Sequence, residues 1–281
     1  MPSRIKGLNI AICGAPEAGK TAIQNLLAEL VGAVPCDDGR PMRDAAIALL
    51  GFSEVQVTTD RGKAGIFTPP HLPAARRALV RDRIGAVVRS LYNLPEGSQR
   101  PSHIMVCGVR CDLTDLTGRL MGELDLMLDG YADRLAKGDA PQVRDPLGHI
   151  RQIIDRLHGD QAVPTMAIAK ARARHGADAN LSFGSVRGEQ ALAYRTSGGL
   201  VIEVVRPGKE PRNSFDFYNR AHVTFTVRND LIVEGWRGPG LPPAAEAHMR
   251  RQMIEGFRSA GIELMVTEPA DADAEDDVLA P

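Results

Sequence analysis

Aromatic residues are scarce in this chain of 281 residues, which has one Trp, four Tyr and seven Phe. Cysteine is scarcer still. Cys13, Cys36, Cys107 and Cys111 lack the paired spacing of a zinc site or a redox C-x-x-C. Cys13 and Cys107 close apolar runs and read as small buried hydrophobes. No apolar run approaches the roughly 20 residues of a membrane helix. The run LNIAIC after Arg4 and Lys6 is too short for a signal peptide, and no small-residue cleavage site follows it. These absences predict a reducing, cytoplasmic setting with no membrane contact. Net charge is also lacking, at −1 overall, and no internal repeat is visible.

Both scarcities are uneven. Only Phe52, Phe67, Tyr92 and Tyr131 precede Phe183, and the remaining aromatics lie from Phe183 to Phe257. Glu268, Asp271, Asp273, Glu275, Asp276 and Asp277 crowd the end of the chain with no base among them, so the remainder is net positive. The expected organisation is a nucleotide-binding domain over residues 1–175, an α+β interaction domain over 176–267, and an acidic disordered tail over 268–281.

The strongest positive signal is GAPEAGKT at residues 14–21, which fits G-x-x-x-x-G-K-[ST]. The apolar run before it predicts a buried strand. TAIQNLLAEL after it predicts a helix with Ile23, Leu26, Leu27, Leu30 and Val31 on one face and Gly32 as its stop. In such a loop Gly14 and Gly19 take backbone conformations closed to other residues. The N–H groups of Ala15, Pro16's neighbours, Glu17 and Ala18 then converge on phosphate oxygens. Lys20 reaches the β- and γ-phosphates, and the Thr21 hydroxyl ligates Mg²⁺. The expected ligand is a nucleoside triphosphate with Mg²⁺.

Two later segments carry a resemblance. Residues 103–113, HIMVCGVRCDL, read as a strand ending in a loop, and 163–170, VPTMAIAK, read as a strand ending in Ala-Lys. Together with the phosphate loop they resemble Ras-like small GTPases. Asp112 occupies the place of that family's guanine-reading Asp, and Ala169 with Lys170 the place of its last base-contacting motif. Phe67, Thr68, Pro69 and Pro70 are similar to a variant motif of bacterial polarity and motility GTPases. The family's Asn is Val109 here, its Lys is Arg110, and no Thr stands between Ala22 and Gln56. The resemblance covers roughly residues 7–175 and implies GTP, with ATP still open. It also implies slow hydrolysis with His71 at the water-positioning place, and Asp60 or Asp37/Asp38 as a substitute metal carboxylate beside Thr21.

The rest of the chain adds elements without chemistry. EVQVTTDRGKAGIF reads as a hairpin, and residues 115–137 and 147–158 as amphipathic helices. The arginine-rich stretch 74–91 begins as a helix, and its end fits helix or strand equally; lacking interleaved aromatics, it does not point to nucleic acid. ALAYRT, GLVIEVVR, HVTFTVR, LIVEGW and IELMV predict antiparallel strands, with a turn at Asn229-Asp230 and a helix near 243–260. The predicted fold is therefore α/β, a P-loop NTPase-type mostly parallel sheet with flanking helices, followed by a smaller antiparallel α+β domain that takes a protein partner. Three functions stay open: a GTPase-like switch, a non-hydrolysing nucleotide-bound scaffold, and an ATP-dependent ATPase or phosphotransferase.

Overall fold

A computed structural model describes residues 5–67, 75–95, 101–184, 186–211, 217–231 and 241–264. The expectations for His71, the segment 68–73, LIVEGW beyond Leu231 and the acidic tail lie outside the described residues. The chain opens with β1 (Asn9–Cys13), whose five residues are all buried, and α1 (Lys20–Val31), which ends on Gly32 at φ 63°. A short β2 (Val34–Cys36) follows.

Residues 37–180 then form a mostly helical body. It contains α2 (Arg40–Leu50), α3 (Glu54–Thr58), α4 (Asp60–Lys63), α5 (Arg76–Tyr92), the hairpin β3 (His103–Val106) and β4 (Val109–Asp112), α6 (Leu113–Ala136), α7 (Arg144–His158) and α8 (Ala162–His175). The chain returns through β5 (Leu181–Phe183), α9 (Ala191–Thr196), β6 (Leu200–Val205), β7 (Phe225–Arg228) and α10 (Pro243–Ser259).

β1 lies at the centre of a five-stranded sheet in the order β2-β5-β1-β6-β7, with every pairing parallel. A parallel sheet must be covered on both faces, and the central strands β1, β5 and β6 are accordingly buried and mostly apolar, with Asn9, Ser182 and Glu203 as buried polar exceptions. Ile10, Ile12, Leu200, Ile202 and Val204 pack under Leu26 and Leu27 of α1 and Met249, Met253 and Phe257 of α10. Ala11, Phe183 and Val201 pack on the other face against Ala167 of α8 and Tyr194 of α9. The helical body has its own core, where Phe67 meets Phe52 and Tyr131 edge-on at centroid distances of 5.7 and 5.3 Å.

The mostly parallel α/β sheet matches the expected class, but the boundary near residue 176 does not. β5 and β6 flank β1 on its two sides, so residues after 176 complete the first sheet and do not start a second domain. Nor are those strands antiparallel: β7 runs parallel to β6, and the antiparallel pair is β3 with β4. Composition marks a strand but not its partner, and Phe183, Tyr194, Tyr218, Phe225 and Phe257 among the late aromatics pack on this sheet.

Four local expectations also change. The single strand over 103–113 is a hairpin, turned by Cys107 and Gly108 at φ 51° and 81°. The expected strand 163–170 is α8, with Val163, Met166 and Ala167 buried at helical spacing. EVQVTTDRGK forms α3 and α4 because Ser53 and Gln56 make a reciprocal capping box and Thr59 caps the next turn. ALAYRT is α9, and the ambiguous end of α5 is helical.

Candidate functional site

The carboxyl edge of an open parallel sheet collects ligands where the strand order switches sides. Here β1 feeds α1 through the glycine loop, with β5 on one side and β6 on the other. Gly14 has φ 143°, and a Cβ there would stand 2.4 Å from the Val204 carbonyl oxygen. Gly19 has φ 109°, and its Cβ would meet the Asn229 amide nitrogen at 2.8 Å. Positive φ at both places favours glycine, and close approach, of backbone at Gly14 and of the Asn229 side chain at Gly19, leaves no room for a Cβ. Glu17 sits at the crest with φ 63°, an uncommon conformation for a side chain of its size.

The loop is held from behind by the far side of the sheet. The buried Asn229, just past β7, donates from Nδ2 to the Ala18 carbonyl at 2.9 Å, while its own N–H bonds Val205 at 2.8 Å. The Lys20 ammonium donates to the carbonyls of Gly14 and Ala15, both at 2.8 Å. Lys209 donates to the Glu17 carboxylate at 2.5 Å, and Arg206 to the Glu17 carbonyl at 3.3 Å. Thr21 is exposed in the first turn of α1.

Beneath the loop, burial and then the Glu203 carboxylate push the Cys13 thiol up to about 12, so it stays neutral and unreactive. Glu203 is itself buried. Desolvation works to raise it, but hydrogen bonds from Tyr218, Thr226 and Arg220 bring the balance below the usual carboxylate range.

A second group of charges gathers at the end of β2, two strands and so roughly 10 Å from β1. Asp37 accepts from Gly39 N at 2.9 Å and pairs with Arg43. Burial first, then Asp37, pushes the Asp38 carboxyl up, against the pull of Arg43 and Arg187. Burial first, then Arg43, pulls Lys63 down, with Arg187 adding to the effect and Asp60 and Asp37 opposing it. Arg187 arrives from the other direction, on the segment after β5 that the Val186 N–H ties to Ile12 O at 3.2 Å. Tyr194 lies fully buried beside Asp38 and Asp37, and its hydroxyl has no hydrogen-bond partner among the described residues.

The residues of the Ras-like resemblance are not assembled here. Asp112 ends the hairpin and caps α6, its Oδ1 accepting from Thr114 N and Asp115 N at 2.9 Å each. Those backbone bonds, that of Asp115 first, pull its carboxyl below the usual range. Ala169 and Lys170 lie in α8, and the Lys170 ammonium pairs with Asp44 of α2 and bonds Ser90 O at 2.8 Å. Asp60 opens α4 and belongs with Lys63.

Among the described residues no group of three or more His, Cys, Asp or Glu could hold a metal ion. Cavities of about 570 and 550 Å³ open on the outside of the helical body, against Arg77 and Asp129, and no residue of the glycine loop lines either.

The sequence signalled the loop but not its supports. Asn229 is 211 residues from Ala18, and the sequence marks it only as a turn residue. Arg206 and Lys209 did carry a signal, as RPGK directly after an apolar strand run. No helix among the described residues is long and apolar enough to cross a membrane. In comparisons with known proteins, no protein-family model and no curated protein matches the chain.

Proposed function

We propose that the chain holds a nucleoside triphosphate on residues 14–21 and passes its terminal phosphoryl group to an acceptor seated at the ends of β2 and β5. The observation that carries this reading is the charge group of Asp37, Asp38, Arg43, Lys63 and Arg187, gathered past the carboxyl end of β2, two strand spacings from the strand that feeds the glycine loop. A nucleotide-binding loop alone serves many purposes. A second polar group one ligand's length away fits two substrates meeting end to end.

The chemistry follows from the charges. Three cations suit an acceptor that bears a phosphate, and the two carboxylates suit hydroxyl groups on the same molecule. A nucleoside monophosphate meets both demands. Phosphoryl transfer needs little covalent help from a protein, only alignment and cover for developing charge. Lys20 would leave the Gly14 and Ala15 carbonyls for the β- and γ-phosphates. Arg187, between the two groups, would meet the acceptor's phosphate. Asp38, with its raised carboxyl, would take the proton where the acceptor is a hydroxyl.

Mg²⁺ keeps several of its waters and binds largely through substrate phosphates, and the exposed Thr21 hydroxyl would be the protein oxygen of the loop offered to it. When bound it would neutralise phosphate charge.

The experiment incubates the purified chain with γ-labelled ATP or GTP and a panel of nucleoside monophosphates, nucleosides and sugar phosphates, and separates products by anion exchange. Label should pass to one acceptor class and vanish in Lys20→Ala. Release of label as inorganic phosphate alone, whatever the acceptor, defeats the proposal. A second reading has one observation in its favour. β5 ends in Ser182, Phe183 and Gly184 with no carboxylate for a metal, which suits a scaffold that holds its nucleotide without turnover. A guanine-selecting switch would need Asp112, Ala169 and Lys170 at the sheet's carboxyl edge, and they belong to other elements.

A further inference from the structure

Among the described residues, the cations around the glycine loop are engaged by oxygens of the loop itself. Lys20 is held by the Gly14 and Ala15 carbonyls, Arg206 by the Glu17 carbonyl and Lys209 by the Glu17 carboxylate. The last two come from one device. Arg206, Pro207, Gly208 and Lys209 make a tight turn closed by Lys209 N to Arg206 O at 3.1 Å, with Gly208 at φ 73°. Proline followed by a left-handed glycine is the pattern of a type II turn. It sets the two cations together at the end of β6, leaning over the crest of the loop. Glu17 is the only acid within residues 14–21, and its backbone is held left-handed at φ 63°.

We infer that Arg206 and Lys209 are phosphate-binding residues of this site and that Glu17 is a built-in competitor that occupies them. The inference rests on the proposed triphosphate site. A carboxylate at the crest repels incoming phosphate and also claims the ammonium that would receive it. Triphosphate oxygens compete for the same cations with charge-assisted bonds. When they succeed, Lys209 exchanges one anion for another across the crest while the turn's backbone stays anchored to β6. The Glu17–Lys209 pair is partly exposed, with side chains 53% and 34% accessible, so the exchange costs little in either direction. Glu17 thereby weakens binding and favours release, which suits a site that must let a charged product go.

The test is calorimetric titration of the full chain with sodium tripolyphosphate, which has no base, and then with ATP and GTP. Glu17→Gln keeps the side-chain shape and removes the charge; it should bind tripolyphosphate about threefold to tenfold tighter. Glu17→Gly also relieves the left-handed backbone and should gain at least as much. Lys209→Met should bind more weakly, and adding Glu17→Gln to it should recover only the smaller part that comes from lost repulsion. Equal or weaker binding by Glu17→Gln overturns the inference, as does a gain of the same size with and without Lys209. Lys20→Ala separates the two levels of the argument. If it leaves tripolyphosphate affinity unchanged, the phosphate site itself falls, and this inference with it. If it abolishes binding while Glu17→Gln has no effect, only the competitor falls.

Discussion

The two ends of the proposed site are built in opposite ways. The glycine loop is a backbone structure, and its shape is dictated by φ values at Gly14 and Gly19 and by close approach to Val204 and Asn229. The group at the end of β2 is a side-chain structure, drawn from the β2 exit, α2, α4 and the segment after β5. A backbone device needs particular residues at fixed spacing and so leaves a motif. A side-chain device needs only charges that folding brings together, and it leaves no trace along the chain. The difference also predicts how each end fails. Damage to the loop should cost the fold and the ligand together, while damage to the charge group should cost one substrate and spare the fold.

The sharpest way to break that contrast is Gly14→Ala. Its Cβ would stand 2.4 Å from the Val204 carbonyl oxygen at a φ that alanine avoids. Stability should drop by about 2–4 kcal/mol in urea denaturation, with triphosphate binding lost. A stable variant that binds normally would mean the loop is not the rigid backbone device described.

Arg187→Ala should do the reverse. The acceptor KM should rise by about tenfold or more, while the triphosphate KM moves less than about twofold and the melting temperature holds. Equal effects on both substrates would merge the two ends into one.

A smaller effect is expected at Asp112→Ala. This removes an N-cap and should lower the melting temperature slightly without altering the preference between ATP and GTP. A changed preference would restore the base-reading role implied by the Ras-like resemblance.

The smallest effect concerns pH. The folded Asp38 carboxyl titrates above its unfolded value, because burial penalises its charge. Its protonated form is therefore favoured by folding, and that contribution is present at low pH and lost as pH rises through the folded value. Asp38→Asn should match the wild-type melting temperature below about pH 4 and exceed it by a degree or two at about pH 7. A variant less stable at neutral pH would show the ionised carboxylate to be a net stabiliser among Arg43 and Arg187.

How much could be read from the chain follows the same division. α1, α6, α7 and α10 were legible because their apolar residues recur at helical spacing over several turns. α8 was not, because VPTMAIA is apolar all round and seven residues cannot separate helix from strand. The hairpin reading of EVQVTTDRGKAGIF gives way to α3 and α4, where Ser53 and Gln56 form a capping box that the sequence spells. At the site, residues 14–21 stood out, whereas Asn229, Arg187 and Tyr194 owe their places to strand neighbours that no local pattern specifies. At the places of the Ras-like resemblance, Asp112 caps α6 and Lys170, inside α8, pairs with Asp44.

The departure of residues 37–180 between two adjacent strands has a consequence for how the molecule assembles. Val34 pairs with Leu181 and Cys36 with Phe183, so the whole helical body begins and ends about one strand spacing apart. The central sheet closes only when contacts that distant in sequence are made, and closing so long a loop is slow unless something shortens it first. The helical body, rich in near-neighbour contacts and with its own core, can supply that shortcut by folding ahead of the sheet and delivering β5 to β1. Arg172 in α8 then fastens the return, bonding the Gly7 carbonyl and the Asn9 side chain at 2.7 and 2.6 Å. On this view the glycine loop is among the last parts to take shape. A ligand added during refolding would act on the final step of assembly, not the first.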